Sequence, residues 1–158
     1  MTLPLLTGVA LIQTTLLSRV KLWGARPDLM LLVVLVWAVV RGLDEGLVWG
    51  FIGGLLIDLF SGGPLAATVL ALLTATLLVG QPWGLGIGSR VVRLLLLSFI
   101  GIVAYHLVLL IVLGWTGHMV HWGFAWLRVA GPSTLLNVAL APFVLQPLIL
   151  LERTTRQA

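Results

Sequence analysis

The apolar residues of this chain come in long blocks, and most of the charge sits outside them. Six blocks can be drawn, at about 3–18, 27–41, 46–60, 64–80, 91–114 and 134–151. Such blocks restrict the solvent in which the chain can fold. Nine Lys+Arg and five Asp+Glu in 158 residues give 9% charge against 60% hydrophobic residues, whereas a soluble domain carries about 25% charge. That little charge cannot clothe a water-facing surface. Disorder is excluded by the same figures, because disordered chains are rich in charge and poor in apolar residues. A β-barrel is disfavoured, since the apolar residues do not alternate with polar ones. The expectation is an all-α membrane protein, a bundle of six transmembrane helices forming one domain over residues 1–158. A span needs about 20 helical residues, so the second and third blocks are short and call for flanking residues or shielded ends.

Connections between blocks are mostly tight. Arg41-Gly-Leu-Asp-Glu45 joins the second and third, with Asp44 and Glu45 at the positive end of the third helix. Arg26-Pro27-Asp28 opens the second, with the proline expected in its first turn. Ser61-Gly-Gly-Pro64 reads as a sharp reversal, and Gly80 to Arg90 as a loop. The stretch 115–133, with Trp115, Trp122, Trp126, His118, His121 and Arg128, reads as a loop lying in the membrane interface. The N-terminal block has its basic residues, Arg19 and Lys21, after the apolar run, which suits a retained span better than a signal peptide. Six spans put both termini on one side. Arg41, Arg90, Arg93, Arg153 and Arg156 then accompany the termini, against Arg19, Lys21, Arg26 and Arg128 opposite. The positive-inside rule therefore places the termini in the cytoplasm. The net charge of +4 is read as anchoring to anionic lipid headgroups, not as a nucleic-acid patch.

Few residues offer chemistry. Gly46, Gly50, Gly54 and Asp58 recur every four residues on the third helix, Gly53 widens the groove, and Gly62 continues the series into the turn. A stripe of small residues lets another backbone approach closely, either inside the bundle or from a helix of another protein. Asp58 lies deep in an apolar block, where a carboxylate needs partners. Two readings are open: a clasp on the backbone N–H groups of Ser61-Gly62-Gly63, or a contact with a partner or ligand. His106, Asn137 and Gln146 are candidates for polar contacts within the membrane. His106 is expected to bond a neighbouring helix, and Asn137 or Gln146 the carbonyls freed by Pro142 and Pro147. A triad of Ser61, His106 and Asp58 lacks any supporting spacing or nucleophile elbow. His118 and His121 lack a third metal ligand, and Gly84-Leu-Gly86-Ile-Gly88 has the wrong spacing for a dinucleotide loop. Neither a catalytic residue, nor a metal site, nor a cofactor is expected.

The ordered residues Arg26-Pro27-Asp28-Leu29, then Glu45-Gly46-x3-Gly50-x2-Gly53-Gly54-x3-Asp58-x2-Ser61-Gly62-x-Pro64-Leu65, resemble the MreD family of bacterial rod shape-determining membrane proteins. The strong part of the match covers about residues 26–65. The resemblance implies a six-span inner-membrane protein with cytoplasmic termini. It also implies a bundle like the substrate-binding subunits of energy-coupling-factor transporters, and no enzymatic activity. It carries Pro27, Asp28, Gly50, Gly54, Asp58, Ser61 and Gly62 as motif residues. It further implies an MreC-like single-span partner, with room for a higher oligomer, within a peptidoglycan-elongation complex holding a RodA-type glycosyltransferase and a penicillin-binding transpeptidase. The alternative is a solute-binding subunit of a vitamin-type transporter, with its cavity near Asp58 or His106.

Overall fold

A computed structural model describes residues 2–20, 25–82, 86 and 88–156. Among them all regular structure is helical. Helix α1 covers Thr2–Thr15 and ends in a 3-10 turn at Leu17–Arg19. Then come α2 (Leu29–Arg41), α3 (Leu43–Ser61), α4 (Ala67–Val79) and α5 (Arg90–Trp115). The short α6 (Trp122–Phe124) passes through a π-helical stretch, Ala125–Ala130, into α7 (Gly131–Arg156). Two helical segments, Arg90–Trp115 and Trp122–Thr154, are long and apolar enough to cross a membrane by length and composition.

The centre of the bundle is α2. Every residue from Met30 to Ala38 is buried, and α1, α3, α4, α5 and α7 all pack against it. A helix that is apolar on all sides must be enclosed on all sides, which is what the second apolar block encodes. At about 1.5 Å per residue, 13 residues reach only about 20 Å, short of the roughly 30 Å of a bilayer's hydrocarbon core. The outer helices turn large apolar side chains outward: Val48, Phe51 and Leu59 on α3, Leu96 and Phe99 on α5, and Leu135 and Phe143 on α7. Water does not tolerate apolar surface on that scale; lipid does.

The α2–α3 turn is a single residue. Gly42 has φ +97°, a conformation that side chains disfavour. Its N–H donates to the Ala38 carbonyl while its carbonyl accepts from the Gly46 N–H. This brings the start of α3 forward to Leu43, from the expected 46, and puts Asp44 and Glu45 in the first turn. Glu45 then draws the hairpin shut. Its Oε2 accepts from Trp37 Nε1 at 3.2 Å and from Arg41 Nε at 3.1 Å. Trp37 stacks on Trp49 at 4.3 Å, and the Arg41 guanidinium lies 5.5 Å from the Trp37 ring centre.

The glycine stripe of α3 faces the chain's own helices. A Cβ at Gly46 would lie 2.6 Å from Ala38 Cβ, and one at Gly53 2.7 Å from Met30 Sδ, both on α2. At Gly54 it would lie 2.6 Å from the Cα of Val69 on α4, a backbone atom that cannot step aside. At Gly50 the nearest atom, Thr76 Oγ1, is 3.3 Å away. The stripe is consumed by α2 and α4, so it is no open groove for a helix of another protein. Lipid tails are as apolar as leucine, so close packing and dispersion must hold such helices together.

Two further expected boundaries move. The segment 115–133 is not a loop throughout: the described chain leaves the helix only at residues 116–121, and Trp122 begins a helix that runs through to α7. Pro132 removes one helical N–H, and the chain meets this with the π-helical stretch before it instead of a break. Pro27 stands before the N-cap, Asp28, and not in the first turn of α2. The Gly80–Arg90 connection, with its Gly84-to-Gly88 stretch, lies partly outside the described residues.

The α3–α4 contact distances order the alanine substitutions. Gly54→Ala should cost about 1–3 kcal/mol, as overpacking of a close-packed core does, and Gly50→Ala should cost the least of the stripe. Thermal unfolding of the purified protein in detergent checks the order; equal losses at the two positions would contradict the packing described.

Candidate functional site

Both α2 and α4 begin at the same end of the bundle, where α1, α3 and α5 finish. The first turn of any helix holds N–H groups without intrahelical partners, and those of Met30, Leu31, Thr68 and Val69 belong to buried residues, where an unpaired N–H is costly. Each start therefore needs acceptors from the protein, and in each case a carboxylate provides them.

For α2 the carboxylate is local. Asp28 is the N-cap, and its Oδ1 accepts from the Leu31 N–H at 3.0 Å. Gln13, on α1, uses both ends of its amide there. Its Oε1 accepts from the Met30 N–H at 2.7 Å, and its Nε2 donates to Asp28 Oδ1 at 2.9 Å. From α7, the wholly buried Asn137 accepts the Asp28 N–H on Oδ1 at 2.9 Å. Ser133 accepts the Arg26 N–H at 3.5 Å. Three helices are thus tied at one point. Asn137 Nδ2 has no hydrogen-bond partner among the described residues.

For α4 the carboxylate comes from the preceding helix. The N-cap residue Ala66 has φ 73° and no capping side chain. Asp58 of α3, only 3% exposed, replaces it. Its Oδ1 accepts from the Thr68 N–H at 3.1 Å and its Oδ2 from the Val69 N–H at 3.4 Å. The sequence suggested Ser61-Gly62-Gly63 as the donors; the structure places them on α4 instead. Asp58 continues the stripe whose Gly54 meets Val69, so its carboxylate looks across the hairpin at α4 and away from its own turn. Ser61 and Gly62 are exposed, and Gly62 ends α3 in the left-handed conformation, at φ 66°.

The remaining candidates scatter. His106 Nδ1 pairs with the Ile102 carbonyl of its own helix at 2.9 Å, not with a neighbouring helix, and its ring meets Tyr105 edge-on. With both Asp58 oxygens engaged at α4, no Ser61–His106–Asp58 triad forms. Asn137 serves Asp28 and not a carbonyl freed by proline, because it stands at the level where α2 begins. Gln146 is exposed, and α7 continues through Pro142 and Pro147. His118 pairs with Thr116 Oγ1 at 3.2 Å, and no metal-like grouping of three side chains exists among the described residues. In the sequence Gln13 is a polar residue in an otherwise apolar block. A lone amide inside a span announces a need for partners, but not which backbone it serves.

Beside the α2 start lies an open cavity of about 1060 Å³. Arg26, Asp28 and Ser61 line it from the loop ends, Tyr105 and His106 from α5, and Arg128 from the π-helical stretch. Its apolar wall includes Phe60, Leu109 and Phe124.

Comparison with protein families matches residues 1–154 to the family described as rod shape-determining protein MreD. Comparisons with curated proteins and with solved structures gave no match.

Removing the Asp58 carboxylate leaves two buried N–H groups unpaired. Asp58→Ala should therefore cost about 1–3 kcal/mol per abandoned group. Asp58→Asn keeps one acceptor oxygen and should lose about half as much. Unfolding in detergent reads both; an Asp58→Ala protein as stable as the native chain would show that the carboxylate is no cap.

Proposed function

The chain belongs to the MreD family of rod shape-determining membrane proteins, and from that premise we propose that it is a non-catalytic scaffold of the lateral wall-elongation complex, holding an MreC-like single-span partner in the bacterial inner membrane. The observation that carries the reading is the family match over residues 1–154. The chemistry of the chain supports it. The Asp28 and Asp58 carboxylates and the amide oxygens of Gln13 and Asn137 are spent on helix starts, and the outer faces carry apolar side chains suited to lipid and to another helix. RodA-type and penicillin-binding enzymes would be reached through that partner.

In this reading all six apolar blocks span the membrane, in an arrangement like that of a transporter substrate-binding subunit, with both termini cytoplasmic. The short α2 and α4 sit where neighbouring helices shield their ends. The partner's helix meets an outward face and not the glycine stripe, which α2 and α4 already fill.

Two measurements test this. Co-expression with an MreC-like single-span protein should give co-purification in detergent at a fixed ratio; failure to co-purify would remove the scaffold reading. The chain has no cysteine, so single substitutions report topology directly. Ser61→Cys and Thr116→Cys should react with a membrane-impermeant maleimide in intact spheroplasts, and Gln81→Cys and Arg153→Cys only after permeabilisation. Labelling of Ser61→Cys and Gln81→Cys from the same side would rule out the six-span path.

A further inference from the structure

We propose that the cavity beside the α2 start is a binding site for the headgroup of an anionic, phosphate-bearing membrane lipid, with Arg26 and Arg128 as its cationic clamp. The inference does not rest on the partner reading; it follows from what the cavity walls contain.

The two arginines are 102 positions apart in the chain and both line one cavity. Neither forms an ion pair among the described residues; the pair found there, Arg41 with Glu45, is at the other end of the bundle. The one carboxylate in the cavity wall is Asp28, and it is engaged by the Leu31 N–H and the Gln13 amide. The walls therefore hold a surplus of positive charge with hydrogen-bond donors to spare. A guanidinium binds phosphate through paired N–H groups, more strongly than a neutral donor does.

The carrier of Arg128 is unusual in itself. It lies on the π-helical stretch Ala125–Ala130, and π turns are rare and frequent at functional sites. Each π turn holds an extra residue relative to an α-turn, so it shifts the register of the side chains around it. Here one of the shifted side chains is an arginine lining a cavity.

The apolar wall identifies a lipid and not a free ion. Phe60 and Phe124 line the same cavity and are exposed, at 48% and 63%. Trp122 stands two residues from Phe124, and indole rings settle at the headgroup level of a bilayer. At about 1060 Å³ the space matches the upper end of ligand pockets, roughly 300–1,000 Å³. That is ample for a headgroup and the first carbons of its chains.

The test uses the purified full-length protein in a neutral detergent, titrated with phosphatidylglycerol and followed by tryptophan fluorescence, with native mass spectrometry to count bound lipid. The expected result is saturable binding of one lipid, at least tenfold tighter than phosphatidylcholine. Arg26→Gln/Arg128→Gln should weaken it at least tenfold, while Arg90→Gln, at the start of α5 on the opposite end, should leave it unchanged. Inorganic phosphate at millimolar concentration should not displace the lipid. Ser61→Trp, which fills the cavity from an exposed position, should abolish binding without touching either arginine and keeps the test valid if the double variant does not fold. Native-like affinity in the folded double variant, native-like affinity in Ser61→Trp, equal affinity for phosphatidylcholine, or displacement by inorganic phosphate would each overturn the proposal.

Discussion

A carboxylate at the start of a buried helix is the interaction on which this structure depends. The residues of the first turns of α2 and α4 that donate to side-chain acceptors, Met30, Leu31, Thr68 and Val69, are buried, and an unpaired buried N–H costs free energy that packing does not return. Asp28 and Asp58 solve the same problem in two ways. The first caps its own helix and is itself held by Gln13 and Asn137. The second reaches across a turn to cap a helix whose own N-cap, Ala66, offers no side-chain acceptor. In each case negative charge faces the positive end of a helix dipole. The glycine stripe adjoins this arrangement, since α4 approaches Gly54 at Val69, one of the two residues whose N–H Asp58 holds.

Polar groups and small residues thus divide the labour. Close approach at Gly46, Gly53 and Gly54 supplies the dispersion that binds α3 to α2 and α4, and the carboxylates fix where along α3 that approach occurs. The opposite end is closed by Glu45, which accepts from Trp37 and Arg41 at once. Acidic residues thus act at both ends of the bundle, Glu45 across the α2–α3 turn and Asp28 and Asp58 at the starts of α2 and α4. Three of the five acids, Asp28, Glu45 and Asp58, stand where backbone or aromatic donors need them.

How much of this could be read from the sequence depends on the range of each interaction. The apolar run within 27–41 marked a short helix with a need for shielded ends, and the four-residue period of glycines foretold a close contact, because both are properties of one segment. The partner of Asp58 was out of reach. Its donors lie across a turn, and a carboxylate in a sequence does not say which way it looks. Gln13 was more hidden still, since its role exists only once α1 stands beside the start of α2. The segment 122–133 misled through composition. Tryptophan, glycine, arginine and proline mark an interface loop on average, but here a π-helical stretch carries the helix across them. The convergence of Arg26 and Arg128 on one cavity could not be foreseen from positions so distant in the chain.

The tie between Asp28 and Asn137 joins residues 109 apart in sequence, and this bears on how the protein is made. A ribosome delivers α2 to the membrane long before α7 exists, so for most of translation the central helix has neither its final neighbour nor the amide that accepts its N-cap N–H. The nascent chain must wait in a half-built state, with its innermost segment facing lipid or the insertion machinery. Completion of the last helix is then the event that closes the structure, and chains that stop short of it present an unfinished core to membrane proteases.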